Sequence, residues 1–131
     1  MLKQVVFGRT GLRVSNIAFG GIPIMRLGRQ EGVRLVREVL DLGVTFIDTA
    51  HGYGHSEELI GEALQGVARG SVVITTKSPA AGKKELLDHL EQSLRRLRTD
   101  HIDIFQLHMV STREKMDAVM GGDGAFEGLQ E

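Results

Sequence analysis

The chain has 131 residues, enough for one domain with a real core and too few for two. Sixteen basic residues nearly balance seventeen acidic ones, which removes the electrostatic reason to expect nucleic acid or an anionic membrane as a partner and favours a small neutral or weakly charged molecule. Without cysteine, disulfides and thiolate metal sites are excluded; no window is apolar for long enough to act as a signal peptide or cross a membrane, so a cytoplasmic protein is the default expectation.

Val5 to Phe7, the turn Gly8 to Gly11 and Leu12 to Val14 read as an amino-terminal hairpin over 4–15, with Gly11 a position for positive φ. Ile17-Ala18-Phe19 leads into Gly20-Gly21, a strand near 17–21 whose end lacks side chains that would keep a ligand from the backbone. A helix is expected over Gln30 to Leu42, with Val33, Val36, Val39 and Leu40 on one face and Gly43 as its stop. Strand TFIDTA, near 45–50, follows at once. The next helix should start at Ser56 as N-cap, with Glu57 and Glu58 complementing the helix dipole and a stripe of Leu59, Ile60, Ala63, Leu64 and Val67 turned inward. A strand near 72–77, a turn around Pro79 to Gly82, a helix over Lys84 to Arg98 and a strand near 102–109 complete the series. In the tail, 111–131, TREKMDAVM suits a short helix, GGDG a loop, and AFEGLQE the first turns of another helix. Strands alternating with amphipathic helices through short loops specify an α/β domain of right-handed βαβ units around a parallel sheet.

Three of the apolar strands end on polar residues. TFIDTA delivers Asp48 and then Tyr53, VVITTK delivers Lys77, and IDIFQLH delivers His108. Residues two apart on a strand share a face, so Phe46 with Asp48, Val73 with Thr75 and Lys77, and Ile104 with Gln106 and His108 can point the same way, each polar residue at the top. In a barrel this is the layer that carries active sites. Singly, each has an ordinary structural reading: Asp48 as a turn cap, Lys77 snorkelling to water, His108 as a satisfied core histidine, Tyr53 packed over a rim. Together they suit proton transfer to a carbonyl oxygen. A tyrosine, with an unperturbed pKa of about 10, is a poor acid near neutrality unless a nearby cation favours its ionised form. Lys77 supplies that charge, Asp48 would hold Lys77, and His108 would bond the substrate oxygen or join a proton relay. None of them donates hydride, so a reductase needs a nicotinamide cofactor.

Two motifs are set aside. Gly52-Tyr53-Gly54 sits between strand and helix like a dinucleotide fingerprint, but Glu57 occupies the third glycine position, where a carboxylate opposes pyrophosphate. His51 and His55 have a helical H-x-x-x-H spacing, yet the segment holds two glycines and reads as loop, so no metal site is assigned. Arg95, Arg96 and Arg98 read as a solvated helix end whose charge complements the dipole.

RTGLRVSNIAFGG, GVTFIDTAHGYGHSEELIGEAL, ITTKS and SLRRLRTDHIDIFQLH, in this order and spacing, resemble the amino-terminal half of the aldo-keto reductases from about Phe7 to Val110. The resemblance implies a (β/α)8 barrel of the TIM type with a hairpin across its bottom, of which this chain holds about half. It implies a catalytic tetrad at Asp48, Tyr53, Lys77 and His108 with Tyr53 as general acid, NADPH as the usual hydride donor, and aldehydes or ketones as substrates. It also implies that Gly20, Gly21 and Asp48 lie beside the nicotinamide. The family's remaining cofactor-gripping segments come from strands five to eight, and a full barrel needs about 250 residues, so the chain reads as truncated after the fourth strand. Half a barrel exposes two sheet edges, which predicts self-association. The alternative function is a non-catalytic fragment acting as an interaction or regulatory protein, a role that barrels of this family also fill.

Overall fold

The computed structural model describes residues 2–131. An antiparallel hairpin opens the chain, β1 (Gln4–Val6) pairing with β2 (Arg13–Ser15). Its turn is closed by Phe7 N–H to the Leu12 carbonyl at 2.9 Å, with Gly11 at φ +76°, a value that favours glycine. There follow β3 (Phe19–Gly20), α1 (Arg29–Asp41), β4 (Phe46–Asp48), α2 (Ser56–Ala63), β5 (Val73–Ser78), α3 (Lys83–Leu97), β6 (Ile104–Leu107), α4 (Arg113–Met120) and α5 (Ala125–Gly128), with 3-10 turns at Pro23–Arg26 and Arg69–Ser71. Strands β3 to β6 form one parallel sheet in chain order. This is the arrangement of four adjacent staves of a (β/α) barrel, each crossover bringing its helix back to the same side.

The sheet register separates two faces. Ile47 sits opposite Ile74, and both are fully buried in one cluster with Val36 of α1 and Ile60 of α2, so this row faces the helices. The alternate row holds Phe46, Asp48, Val73, Thr75, Lys77, Ile104 and Gln106, aligned by the pairs Asp48 with Thr75, Thr75 with Ile104 and Lys77 with Gln106. At the bottom of that inner row Phe7 meets Phe46 edge-on, ring centroids 5.1 Å apart, and Ser15 and Thr45 exchange backbone and hydroxyl hydrogen bonds of 2.9 Å. These contacts lay the hairpin across the base.

Several boundaries differ from expectation for local reasons. Strand β3 is confined to Phe19–Gly20 because Ser15 Oγ donates to the Ile17 carbonyl at 2.6 Å and bends the chain before the strand. Ser56 is not the cap of α2: His55 takes that place without a side-chain bond, while Ser56 is the first helical residue, fully buried, its Oγ 3.0 Å from Thr49 Oγ1. The same helix stops at Ala63, short of Val67, as the chain turns through Gly66 at φ +88°. Strand β6 starts late because Asp103 Oδ2 accepts from Ile74 N–H at 2.8 Å and from Arg69 Nη2 at 2.6 Å, replacing ladder bonds with a side chain. It ends at Leu107, two residues before Met109 turns into the left-handed region at φ +60°.

Helices α2 and α3 cross unusually closely. A Cβ on Gly61 would lie 2.3 Å from the Arg96 carbonyl oxygen, so only glycine fits there. The tail folds back onto α3: Thr112 caps α4 by accepting from Lys115 N–H at 3.1 Å, and Ala125 N–H donates to the Ala81 carbonyl at 2.7 Å. Among the described residues no helix is long and apolar enough to cross a membrane.

Candidate active site

The four residues singled out at the strand ends meet at the top of the inner face. Lys77, near the end of β5, reaches across to β4, where its Nζ donates to Asp48 Oδ1 at 2.8 Å, Asp48 Oδ2 at 2.7 Å and the Thr49 carbonyl at 2.7 Å. The side chain of Lys77 is 12% exposed and that of Asp48 38%, so the pair lies at the water boundary with its cation turned inward. The same Nζ lies 5.2 Å from the centre of the Tyr53 ring, within cation–π range. Tyr53 in turn meets His108 edge-to-face, ring centroids 5.6 Å apart at 79°.

Backbone hydrogen bonds fix these positions. Thr49 N–H donates to the Thr75 carbonyl and His51 N–H to the Lys77 carbonyl, both at 2.9 Å, extending the parallel ladder past the end of β4. Tyr53 N–H then bonds to the Ala50 carbonyl at 3.0 Å, and the Tyr53 carbonyl accepts from Ser56 N–H at 2.9 Å, folding the loop into consecutive turns that include Gly54 at φ +51°. His108 N–H donates to the Ser78 carbonyl at 2.8 Å, one step beyond β6. Burial pushes the His108 imidazole below the ordinary histidine range, the Lys77 ammonium pushes it further the same way, and Asp48 opposes them. The ring is therefore held toward its neutral form, in which one nitrogen still donates a hydrogen bond.

The two glycines of the first strand part company. Gly20 lies beside Asp48 in the register, exposed, with nothing within 4 Å of where a Cβ would stand. Gly21 is buried, its N–H donates to the Asp48 carbonyl at 2.7 Å, and a Cβ there would lie 2.6 Å from Ser56 Oγ. Internal packing requires glycine at position 21, whereas the flank of Gly20 is open.

Two side chains mattered more than their sequence context suggested. Glu57, read as a helix-dipole residue, is fully buried: Oε1 accepts from Thr76 Oγ1 at 2.7 Å and Oε2 from Arg96 Nη1 at 3.3 Å. Arg96, read as part of a solvated helix end, thus partners a buried carboxylate and also donates to the His51 carbonyl at 3.2 Å. Their long sequence separation hides this pair, although a glutamate beside the apolar stripe of α2 was the available clue. The histidines set aside as metal ligands are engaged separately: His51 Nε2 lies 3.2 Å from Gln92 Oε1, and His55 Nε2 lies 3.1 Å from the Leu27 carbonyl. No cluster of three or more potential metal ligands occurs among the described residues.

Comparison with known proteins places the fold. The profile of the Aldo/keto reductase family matches residues 16–131. The Bacillus subtilis oxidoreductase YrpG is 33% identical over an alignment covering 90% of this chain and 43% of its own. An aldo-keto reductase structure from Pseudomonas aeruginosa superposes with a TM-score of 0.84 at 29% identity, over 97% of this chain and 53% of that one. A third, the Klebsiella pneumoniae aldo-keto reductase in complex with NADPH, gives a TM-score of 0.74 at 34% identity, over 91% of this chain and 44% of that one. The chain thus spans about half the length of the proteins it matches.

Proposed function

Because the chain belongs to the aldo/keto reductase family, we propose that it carries the proton-transfer apparatus of a nicotinamide-dependent reductase of aldehydes and ketones, with Tyr53 as general acid. The observation that carries this reading is the junction of Lys77 with Asp48 on one side and the Tyr53 ring on the other, with His108 closing the group. A structural lysine would need only its carboxylate. Here the cation also lies over the face of the chain's only tyrosine.

The residues at the first strand end fit a nicotinamide as far as they extend: the open flank of Gly20 and the partly exposed carboxylate of Asp48 beside it provide a flat approach next to the acid. When bound there, the cofactor supplies the hydride that none of these side chains has. Tyr53 delivers its hydroxyl proton to the carbonyl oxygen as that oxygen gains charge, and takes a proton back from water afterwards. The ammonium of Lys77 lowers the cost of the transient phenolate, and Asp48 and the Thr49 carbonyl keep that ammonium in place. Neutral His108 donates a hydrogen bond to the substrate oxygen and orients it toward the phenol.

The test is Tyr53→Phe, which removes only the hydroxyl. NADPH-dependent reduction of a small aldehyde should fall by about a hundredfold or more, with cofactor binding unchanged. Retained turnover would refute Tyr53 as the acid. Absence of any NADPH-induced thermal stabilisation would refute independent reductase activity of the 131-residue chain.

The same chain, prepared by itself, should self-associate, because β3 and β6 each pair on one side only. Light scattering that shows a stable monomer with cooperative unfolding would contradict this.

A further inference from the structure

Behind the phenol lies a polar group that the proton-transfer reading leaves idle. His51, two residues before Tyr53, stacks on His89 of α3, ring centroids 3.8 Å apart and planes 16° from parallel. His89 Nδ1 lies 2.8 Å from Ser78 Oγ, on the residue next to Lys77, and that fully buried hydroxyl also accepts from Ala80 N–H at 3.1 Å. His51 is itself bound at three points: its N–H to the Lys77 carbonyl, its carbonyl to Arg96, its ring to Gln92. One side chain of α3 therefore touches both the loop that bears Tyr53 and the strand end that bears Lys77.

We infer that His89 is a positioning residue for the Tyr53–Lys77 pair, clamping the acid's loop to the end of β5 through its stack on His51 and its bond to Ser78. The inference rests on the reading of Tyr53 as the acid. Face-to-face stacking suits two neutral rings, whereas a proton on each would set two positive charges against each other. The groups around His89 are known from every side: His51 from the loop, Ser78 from β5, Glu57 of α2 acting through Arg96, and Glu85, Asp88, Gln92 and Arg96 of its own helix. Burial, then His51, holds its pKa below the usual value, with Arg96 acting the same way and Glu85 and Asp88 opposing. Acid therefore has to work against the clamp before it opens it.

Tyr53 makes this testable without turnover, since the chain has one tyrosine and no tryptophan, so ultraviolet emission reports that loop alone. The probe is time-resolved emission anisotropy of the 131-residue chain carrying His108→Gln, which removes the imidazole that meets the phenol edge-to-face. The parent should show slow decay at about pH 7.5 and gain a fast component on going to about pH 5. Adding His89→Ala should bring that component in at both pH values, with an amplitude about twofold or more above the parent at the higher pH. Adding His89→Phe, which keeps a stacked ring but takes no proton and loses the bond to Ser78, should leave that component with the same amplitude at both pH values. An Ala variant as rigid as the parent, or an acid transition surviving in the Phe variant, would each overturn the proposal. If circular dichroism shows the Ala variant unfolded, the pH response of the Phe variant decides alone. A chain that keeps the clamp response but binds no NADPH would sink the reductase reading and leave the clamp intact.

Discussion

Lys77 holds Asp48 by both carboxylate oxygens, at 2.8 and 2.7 Å, and gives its third proton to the Thr49 carbonyl at 2.7 Å. All three ammonium protons are thus committed to Asp48 of β4 and the residue that follows it, and the cation addresses Tyr53 through the ring face, 5.2 Å from its centre. Loop turns hold Tyr53, and a forked ion pair holds Lys77.

The two partners of that pair should not be equivalent to mutation. Asp48→Asn leaves a mostly buried ammonium without its counter-charge, whereas Lys77→Met leaves a carboxylate that water already reaches. Asp48→Asn should cost about 1–3 kcal/mol of unfolding free energy, below the figure for a fully buried pair, and Lys77→Met less. Urea denaturation of both, with the double variant to close the cycle, measures the coupling. Equal losses would show that exposure does not govern the pair.

Glu57 has no water to fall back on. Glu57→Ala strands the buried Thr76 Oγ1 and leaves Arg96 the His51 carbonyl and water, and should cost about 2 kcal/mol or more, while Glu57→Gln, which keeps an oxygen for Thr76, should cost less. The ranking is read from denaturation midpoints. An Ala variant as stable as the parent would mean that Glu57 is not the anchor of α2.

Adjacent glycines at the first strand end should fail in opposite ways. Gly21→Ala drives a methyl to 2.6 Å from Ser56 Oγ and should lower the thermal midpoint. Gly20→Ala meets no protein atom within 4 Å and should leave the midpoint near that of the parent while weakening NADPH. Thermal shift with and without NADPH separates them, and undiminished NADPH binding by Gly20→Ala would remove that residue from the cofactor site.

Acid should destabilise the fold through two histidines. Burial keeps His108 and His89 below the ordinary value of about 6.5, so as pH falls the unfolded chain takes up protons first. Their contribution is complete above the ordinary histidine range and is lost as pH drops through it to the lower folded values. The thermal midpoint should therefore decline from about pH 7 to about pH 5, and His108→Gln or His89→Phe should each flatten part of the decline. A midpoint constant over that range would contradict burial as the cause.

The strand-end residues were legible because two simple regularities coincide there. Side chains alternate along a strand, and a polar residue ending an apolar run has few places to go but the rim. That logic sees one segment at a time. It therefore reads Glu57 as a dipole residue and Arg96 as solvated, although the α2–α3 crossing pairs them, and Ser56 as a cap, although its hydroxyl turns back to Thr49 at the end of β4. Gly61, which permits that crossing, has no local signature at all: its spacing within α2 is that of any helical residue, and only the backbone of Arg96 and Leu97 explains it. The His51–His89 stack was hidden for the same reason. The short β3 and the late start of β6 were set by side chains, Ser15 and Asp103, that compete with the ladder for backbone partners.

The order of the sheet bears on how the protein is made. Each strand lies beside the one that precedes it in the chain, with Phe19 against Ile47, Ile47 against Ile74 and Thr75 against Ile104, so every pairing closes a span of roughly 28 residues. Loops of similar, modest length carry similar entropic costs, and each of these three pairings joins strands made one after the other. Docking can follow emergence from the ribosome, one βα unit at a time. By that schedule the Lys77–Asp48 bond forms as soon as β5 settles beside β4, before His108 has been added, and the site's charge is in place ahead of the residue expected to orient its substrate.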